Sequence, residues 1–122
     1  MAKENWGLEW GPGHDEGMRA FNQQNYKLAH EILLPLAEKG DAEAQCIIGN
    51  LYHLGLAIER DELEAVKWYK KAAENGYPVA AHNLGTLFMT GTPPVQYDLE
   101  QAMKYFKMAR DLGFEQGPNP DA

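Results

Sequence analysis

Apolar and small residues recur three or four positions apart along most of this chain, and the same arrangement occurs twice. The first copy runs from Gly40 to Gly76 and the second from Gly76 to Gly113. Spacing of this kind predicts amphipathic helices. A repeat of about 20 to 50 residues indicates stacked units, none of which can bury its apolar face alone. The matching positions are Ala44, Ile48, Gly49, Tyr52, Gly55, Asp61, Ala65, Trp68, Tyr69 and Ala72, then Ala80, Leu84, Gly85, Phe88, Gly91, Asp98, Ala102, Tyr105, Phe106 and Ala109.

The pattern predicts an all-α solenoid of about two and a half to three helix-turn-helix repeats in one domain, residues 14–116. The hairpins are expected at about 14–40, 41–76 and 77–113. Residues 1–13 and 117–122 are expected to form a flexible arm and a flexible tail. Because Gly117 and Pro118 interrupt what begins as another repeat, the last hairpin should present an uncapped apolar edge.

Start and stop signals agree with these boundaries. Asn25, Asp61 and Asp98 are predicted N-caps, and each of the two aspartates has an acid or amide three residues on, the arrangement that can close a capping box. Pro78 suits a first helical position, where its missing N–H costs nothing. Pro35 is expected to kink its helix or unwind it early, since it cannot donate to the carbonyl of residue 31.

The amino-terminal arm contains two large rings, Trp6 and Trp10, followed by the structure-breaking run Gly11-Pro12-Gly13. One interpretation is a frayed chain end. The other is that the tryptophans dock on the first hairpin or in its groove and act as a cap. The sequence leaves both open.

Composition narrows the function classes. The 122 residues carry a formal net charge of -7, which disfavours binding to a phosphate backbone, so no nucleic-acid partner is expected. Cys46 is the only cysteine, which excludes an intrachain disulfide and fits a reducing compartment. No apolar run approaches a signal peptide or the roughly 20 residues of a membrane span. A soluble, cytoplasmic protein without a membrane partner is therefore expected.

The repeated residues closely resemble the Sel-one-like repeat family, relatives of the tetratricopeptide repeat, over about residues 17–116. The most complete match lies in the run Trp68-Tyr69-Lys70-Lys71-Ala72-Ala73, followed by Gly76. The second loop glycine of the family pattern is absent, with Ala57 and the pair Pro93-Pro94 in its region. The resemblance implies a right-handed superhelix that serves as an adaptor for other proteins and has no chemistry of its own.

Gly49 and Gly85 lack side chains at the middle of the first helix of each copy, so the paired helices can approach closely there. Their equivalence is the assumption on which the predicted repeat depends. An aromatic stripe at helical spacing is expected to fill the space between hairpins rather than to bind a cofactor. Its members are Trp68, Tyr69, Tyr105 and Phe106.

In related superhelices the first helices line the concave surface, which predicts a protein-binding groove here. Two rows of side chains with helical spacing would form it. The rows are Glu43, Cys46, Asn50 and His53, then Val79, His82, Thr86 and Met89. Methionine at such a surface suits varied partners. An ordinary solvated helix face is the alternative, because exposed polar residues need no purpose.

Candidate chemistry is sparse. Cys46, His53 and His82 suggest a metal site, but the first two are separated by roughly 10 Å of helix rise, too far to share one zinc ion or a nucleophile's proton. The chain has no serine, no Gly-rich phosphate loop and no His-Glu zinc motif. Acids at the helix starts are interpreted as caps favoured by the macrodipole. Two lysine- and arginine-rich rows are interpreted as solvated faces, with phosphate or an acidic partner as the alternative: Lys67, Lys70 and Lys71, and Lys104, Lys107 and Arg110.

These observations predict a non-catalytic module that holds a peptide or protein segment in its concave groove, with no cofactor and no metal. Self-association through the uncapped third hairpin is the second hypothesis, which makes a homo-oligomer possible. An enzymatic function ranks third and depends on Cys46 as the nucleophile.

Overall fold

The computed structural model describes residues 12–115. Six helices follow one another: α1 (Pro12–Asn22), α2 (Tyr26–Lys39), α3 (Ala42–Leu54), α4 (Glu62–Glu74), α5 (Pro78–Thr90) and α6 (Leu99–Asp111). Each helix packs chiefly against the next in the sequence, so three hairpins stack in chain order. Residues 12–115 contain no β-strand. The predicted all-α repeat solenoid is confirmed.

Three aspartates begin helices in the same way. The side chains of Asp41, Asp61 and Asp98 accept a hydrogen bond from the backbone N–H three residues on, at 3.2, 3.1 and 3.0 Å. Asp61 and Asp98 were expected as caps and Asp41 was not. The backbone N–H groups of Asp61 and Asp98 donate instead to the carbonyls of Tyr52 and Phe88, each at 2.9 Å, so neither start closes as a reciprocal capping box. These bonds tie the start of the second helix of a hairpin to the first helix.

Asp41 differs from the other two caps in its surroundings. Its side chain is fully buried, and its Oδ2 lies 2.5 Å from Nδ1 of His14, a buried residue of α1. The other ring nitrogen of His14 lies 3.2 Å from Oε1 of Glu43. The imidazole therefore fastens α1 to the first turn of α3. This role of His14 was not predicted from the sequence.

Glycines close the first helices of the second and third hairpins, as predicted. Gly55 and Gly91 have φ values of +68°, in the left-handed region, and the N–H of each bonds to the preceding turn. Two residues further on, Ala57 also has a positive φ, +67°. Ala57 stands where the family pattern has its second glycine, so this hairpin keeps the glycine-like backbone with a residue that carries a Cβ, at a cost of about 1 kcal/mol.

One predicted interruption of a helix is absent, and one helix boundary differs from the sequence prediction. Helix α2 continues through Pro35 to Lys39, so the predicted early unwinding does not occur. Pro35 and Glu31 are both exposed, and water can satisfy the carbonyl that proline leaves without a donor. Helix α1 begins at Pro12, inside the expected arm, because proline is tolerated in a first turn. The two tryptophans of the arm and the tail 117–122 lie outside the described residues.

Two apolar clusters form a continuous core along the stack. One joins α1 through α3 around Ala29, Leu33 and Ile48. The other joins α3 through α6 around Tyr69 and Leu84. None of the six helices described has both the length and the apolar character needed to span a lipid bilayer.

The central glycines occupy equivalent positions. A Cβ built on Gly49 would lie 2.7 Å from the ring of Tyr69, and one built on Gly85 would lie 2.5 Å from the ring of Phe106. Each ring therefore packs on the glycine of its own hairpin. These two rings were predicted to lie between hairpins. Their contact within each hairpin explains why a glycine is needed at positions 49 and 85.

Candidate protein-binding groove

Side chains from α3 and α5 meet at a small cavity of about 100 Å³. We call this surface the α3–α5 groove and define it by the residues that line the cavity: Asn50, His53, Tyr69, Asn83, Thr86 and Leu87. Three of these, Asn50, His53 and Thr86, belong to the predicted rows. The structure adds the other three. The groove exists only because two consecutive hairpins stack, since neither hairpin carries the whole set.

A hydrogen-bond network forms the wall of this cavity. The hydroxyl of Tyr69 donates to Oδ1 of Asn50 at 2.5 Å, and Nδ2 of Asn83 lies 3.4 Å from the same oxygen. Burial, with the nearby thiol of Cys46 and carboxylate of Glu62, raises the pKa of the Tyr69 hydroxyl, so it stays protonated and acts as a donor. The network fixes the orientation of both asparagine side chains across the hairpin junction.

His53 lies at one end of the groove and contacts a buried carboxylate. Its Nδ1 is 2.7 Å from Oε1 of Glu62, and the guanidinium of Arg60 donates to Oε2 of Glu62 at 2.8 Å. Glu62 is buried, whereas His53 and Arg60 are partly exposed. Glu62 was interpreted as a helix-start acid only. Its two partners show that it also holds His53 in place beside the groove.

Cys46 does not reach the groove surface. It is 1% exposed because α5 packs over it, and its Sγ lies 3.8 Å from Nδ2 of Asn83. Burial and, secondarily, the charge of Glu43 raise the pKa of the thiol to about 12, so the thiolate is negligible at neutral pH. The predicted exposure of Cys46 is therefore wrong. Glu43, from the same row, is held by His14 at the α1–α3 contact.

The second predicted row divides in the same way. Thr86 and Met89 are exposed, and the hydroxyl of Thr86 donates to the carbonyl of His82 at 3.2 Å. Val79 is half-buried against the core. The ring of His82 packs against that of Phe114, with 4.5 Å between the ring centroids and a tilt of 31°. Its Nδ1 is buried and has no hydrogen-bond partner within residues 12–115. Burial lowers the pKa of His82. His82 therefore packs against aromatic rings of the last hairpin and is not among the residues that line the α3–α5 groove.

The residues weighed as a metal site stay apart. Cys46 contacts Asn83, His53 pairs with Glu62, and His82 stacks on aromatic rings. Among residues 12–115 no group of three or more His, Cys, Asp and Glu side chains is placed to hold a metal ion.

The basic rows make contacts on their own helices. Lys67 pairs with Glu64, Lys107 pairs with Asp111, Lys71 lies over the ring of Trp68 and Lys104 lies over the ring of Tyr105. Pairs of this exposed kind contribute little to stability, about 0 to 1 kcal/mol. They agree with solvated faces and give no separate reason to invoke a phosphate ligand.

Comparison with known proteins decides the family. The profile of the Sel1 repeat matches residues 42–77 and 78–114, which correspond to the second and third hairpins. This chain belongs to the Sel1 repeat family. The resemblance predicted from the repeated residues is confirmed, with unit boundaries one residue from those expected.

Several proteins share the Sel1 repeat with this chain. Human Protein sel-1 homolog 2 is 34% identical over 91 residues, which are 75% of this chain and 13% of that protein. The Arabidopsis thaliana ERAD-associated E3 ubiquitin-protein ligase component HRD3B is 36% identical over 80 residues, 65% of this chain and 12% of that protein. The chain thus spans only a small part of these relatives.

Two solved structures have the same fold. A Sel1 repeat protein from Oxalobacter formigenes superposes with a TM-score of 0.73 at 31% identity, covering 79% of this chain and 39% of that one. The uropathogenic Escherichia coli protective antigen c5321, which displays an SLR fold, gives a TM-score of 0.75 at 28% identity, covering 83% and 22%.

The two Sel1 repeats differ at the loop end of the groove. Aligning Gly49 with Gly85 and Asp61 with Asp98 matches three polar residues of the first repeat with three apolar ones of the second. His53, Arg60 and Glu62 correspond to Met89, Tyr97 and Leu99. The apolar three are exposed by 37%, 58% and 49%. The second Sel1 repeat therefore presents apolar surface where the first makes an ion pair between the partly exposed Arg60 and the buried Glu62.

Proposed function

We propose that this chain is a non-catalytic protein-interaction module whose α3–α5 groove holds a peptide or protein segment. Sel1 repeats generally form protein-interaction modules, which supports the general class. The observation that carries the specific proposal is the cavity at the junction of two Sel1 repeats, where polar side chains from α3 and α5 line one surface. A preformed site of this kind lets a partner bind without a large ordering cost.

The absence of catalysis is part of the proposal and has its own support. Cys46, the candidate nucleophile, is buried with a raised pKa, which opposes thiolate chemistry. No serine is available anywhere in the chain. The polar side chains of the groove are two amides, two hydroxyls and an imidazole already paired with a carboxylate, a set better suited to hydrogen bonding than to bond cleavage.

A cytoplasmic location completes the proposal. The only cysteine of the chain, Cys46, has no partner within the chain for a disulfide and suits a reducing compartment. Fractionation of cells that produce the tagged protein tests it, and recovery from an oxidising compartment would contradict it.

Thr86→Arg should weaken partner binding at least about tenfold while leaving the fold intact. Thr86 is exposed and lines the groove, so an arginine there fills space that a partner would occupy. Arginine has a higher helix propensity than threonine, so α5 should not be weakened. Affinity capture followed by calorimetry with the purified partner measures the loss, and thermal unfolding measures the fold.

Glu74→Arg is the matched control for this variant. Glu74 is exposed on α4 and is not among the residues that line the cavity, and the substitution introduces the same side chain with twice the change in charge. Binding should survive in this control. Equal losses in the two variants would assign the effect to overall charge, and full binding by the Thr86 variant would remove the groove from the proposal.

Self-association is a second candidate, favoured by one observation. The exposed apolar residues Tyr97 and Leu99 lie beside a second cavity of about 310 Å³, lined largely by apolar residues of α4, α5 and the loop before α6. Exposed apolar surface with a cavity is typical of a protein interface. If this surface joins two copies, Tyr97→Lys should shift a dimer to a monomer in sedimentation velocity. A wild-type chain that stays monomeric at all concentrations would eliminate the candidate.

A further inference from the structure

The asparagine pair in the groove has hydrogen-bonding capacity that its internal contacts do not use. Oδ1 of Asn50 accepts from Tyr69 and from Nδ2 of Asn83, and the same Nδ2 also faces the sulfur of Cys46. These contacts occupy the two lone pairs of one oxygen and both N–H groups of one nitrogen. Nδ2 of Asn50 and Oδ1 of Asn83 make no hydrogen bond within residues 12–115.

The remaining donor and acceptor belong to two amides that are in direct contact. Both asparagines line the α3–α5 groove and are half-buried, and the 3.4 Å contact between their amides links them. The hydroxyl of Tyr69, which also lines the cavity, restrains Asn50 through a hydrogen bond of 2.5 Å. The two asparagines that line the cavity therefore retain two N–H donors and one carbonyl acceptor between them. The cavity, about 100 Å³, has room for several waters or a short stretch of main chain.

We propose that the pair binds the main chain of an extended segment, through the N–H and the C=O of a single residue. In an extended strand these two groups of one residue point to the same side, as they do in a hydrogen-bonded antiparallel pair. The C=O would accept from Nδ2 of Asn50, and the N–H would donate to Oδ1 of Asn83. The inference rests on the proposed function and deepens it by naming the chemical group that the groove recognises.

Recognition of this kind has a sequence consequence for the partner. Main-chain hydrogen bonds give affinity without selecting a side chain. They do require an N–H, so proline or an N-methylated residue is excluded at the bound position. A segment that fills the groove but leaves Oδ1 of Asn83 without a donor should bind about tenfold more weakly.

A titration followed by NMR on the full ¹⁵N-labelled chain tests the inference directly, because the side-chain NH₂ groups of Asn50 and Asn83 give their own signals. The probes are N-acetylglycine N′-methylamide and the corresponding sarcosine compound, in which an N-methyl group replaces the N–H of the central residue. The glycine probe should shift the signals of both side chains and of Thr86 in a saturable way. The sarcosine probe should bind at least about tenfold more weakly.

Asn50→Asp sharpens the test. The aspartate keeps an oxygen that accepts from Tyr69 and Asn83 but replaces the free donor with a second acceptor. It should lose binding of the glycine probe. Asn22→Asp makes the same chemical change at an exposed position at the end of α1 and should bind as the wild type does.

Three results would overturn the inference. The first two are equal affinity for the two probes and the absence of a saturable shift in the groove. The third is tighter binding of acetamide than of the glycine probe, which would show that the asparagine pair recognises a side-chain amide. These outcomes are separate from failure of the proposed function. A chain that loses its protein partner in Thr86→Arg and yet fails to distinguish the probes keeps its groove and loses only the main-chain assignment.

Discussion

Gly85→Ala should destabilise the protein by about 2 kcal/mol, although alanine is the better helix former by about 1 kcal/mol. The added methyl would lie 2.5 Å from two carbon atoms of the Phe106 ring. That ring is 4% exposed, so it cannot move away without displacing the core. Gly49→Ala should behave similarly, since its methyl meets Tyr69 at 2.7 Å. Urea unfolding followed by far-UV circular dichroism measures the change.

Gly13→Ala is the control for the loss of a helical glycine. A Cβ at Gly13 finds its nearest neighbours at 3.8 and 4.0 Å, which is ordinary contact. Its stability should be unchanged or higher by up to about 1 kcal/mol. Phe106→Leu combined with Gly85→Ala should recover part of the loss, because the smaller side chain can yield. If Gly85→Ala is as stable as Gly13→Ala, the close approach of the paired helices is wrong.

Asp41→Ala should cost about 3 kcal/mol, more than a helix cap alone contributes. The substitution removes the cap of α3, worth about 1 kcal/mol, and the buried hydrogen bond to His14, worth about 1.5 to 3 kcal/mol when a charged group takes part. His14 would keep only its 3.2 Å contact with Glu43. Loss of the α1–α3 fastening should appear as a lower urea midpoint.

Asp98→Ala isolates the capping contribution. Asp98 caps α6 through the same kind of hydrogen bond as Asp41 makes at α3, but it is less buried and pairs with no histidine. Its replacement should cost about 1 kcal/mol. A double-mutant cycle of Asp41→Ala with His14→Ala measures the pair itself. Equal costs for Asp41 and Asp98 would show that the buried contact adds nothing.

The repeat made the fold accessible from sequence alone. Helical spacing, the aspartates before α4 and α6 and the glycines after the first helices are local signals, and each reports on a few neighbouring residues. Because the same signals recur in two copies, each copy supports the other. The predicted equivalence of Gly49 and Gly85 follows from this repetition, and the structure confirms it through the aromatic ring that meets each glycine.

The groove was only partly predictable, because burial within it depends on the neighbouring hairpin. Cys46 and Asn50 lie on one face of α3, yet α5 covers the first and leaves the second half-exposed. Asn83 was missed for a related reason. Its counterpart in the first Sel1 repeat is Ile47, an apolar core residue, so comparison of the two copies indicated a core position at Asn83. The one available signal was an amide at a position where the other copy is apolar.

The backbone bonds from Asp61 to Tyr52 and from Asp98 to Phe88 have a consequence for how this architecture can change. Each closes the base of its interhelical loop before the second helix starts, and the loop 91–98 is one residue longer than 55–61 without any change at that closure. Changes in the length or sequence of a loop tip therefore need not disturb the packing of the two helices that the loop joins. An ancestral duplication of this unit could diversify its loop tips and keep its scaffold.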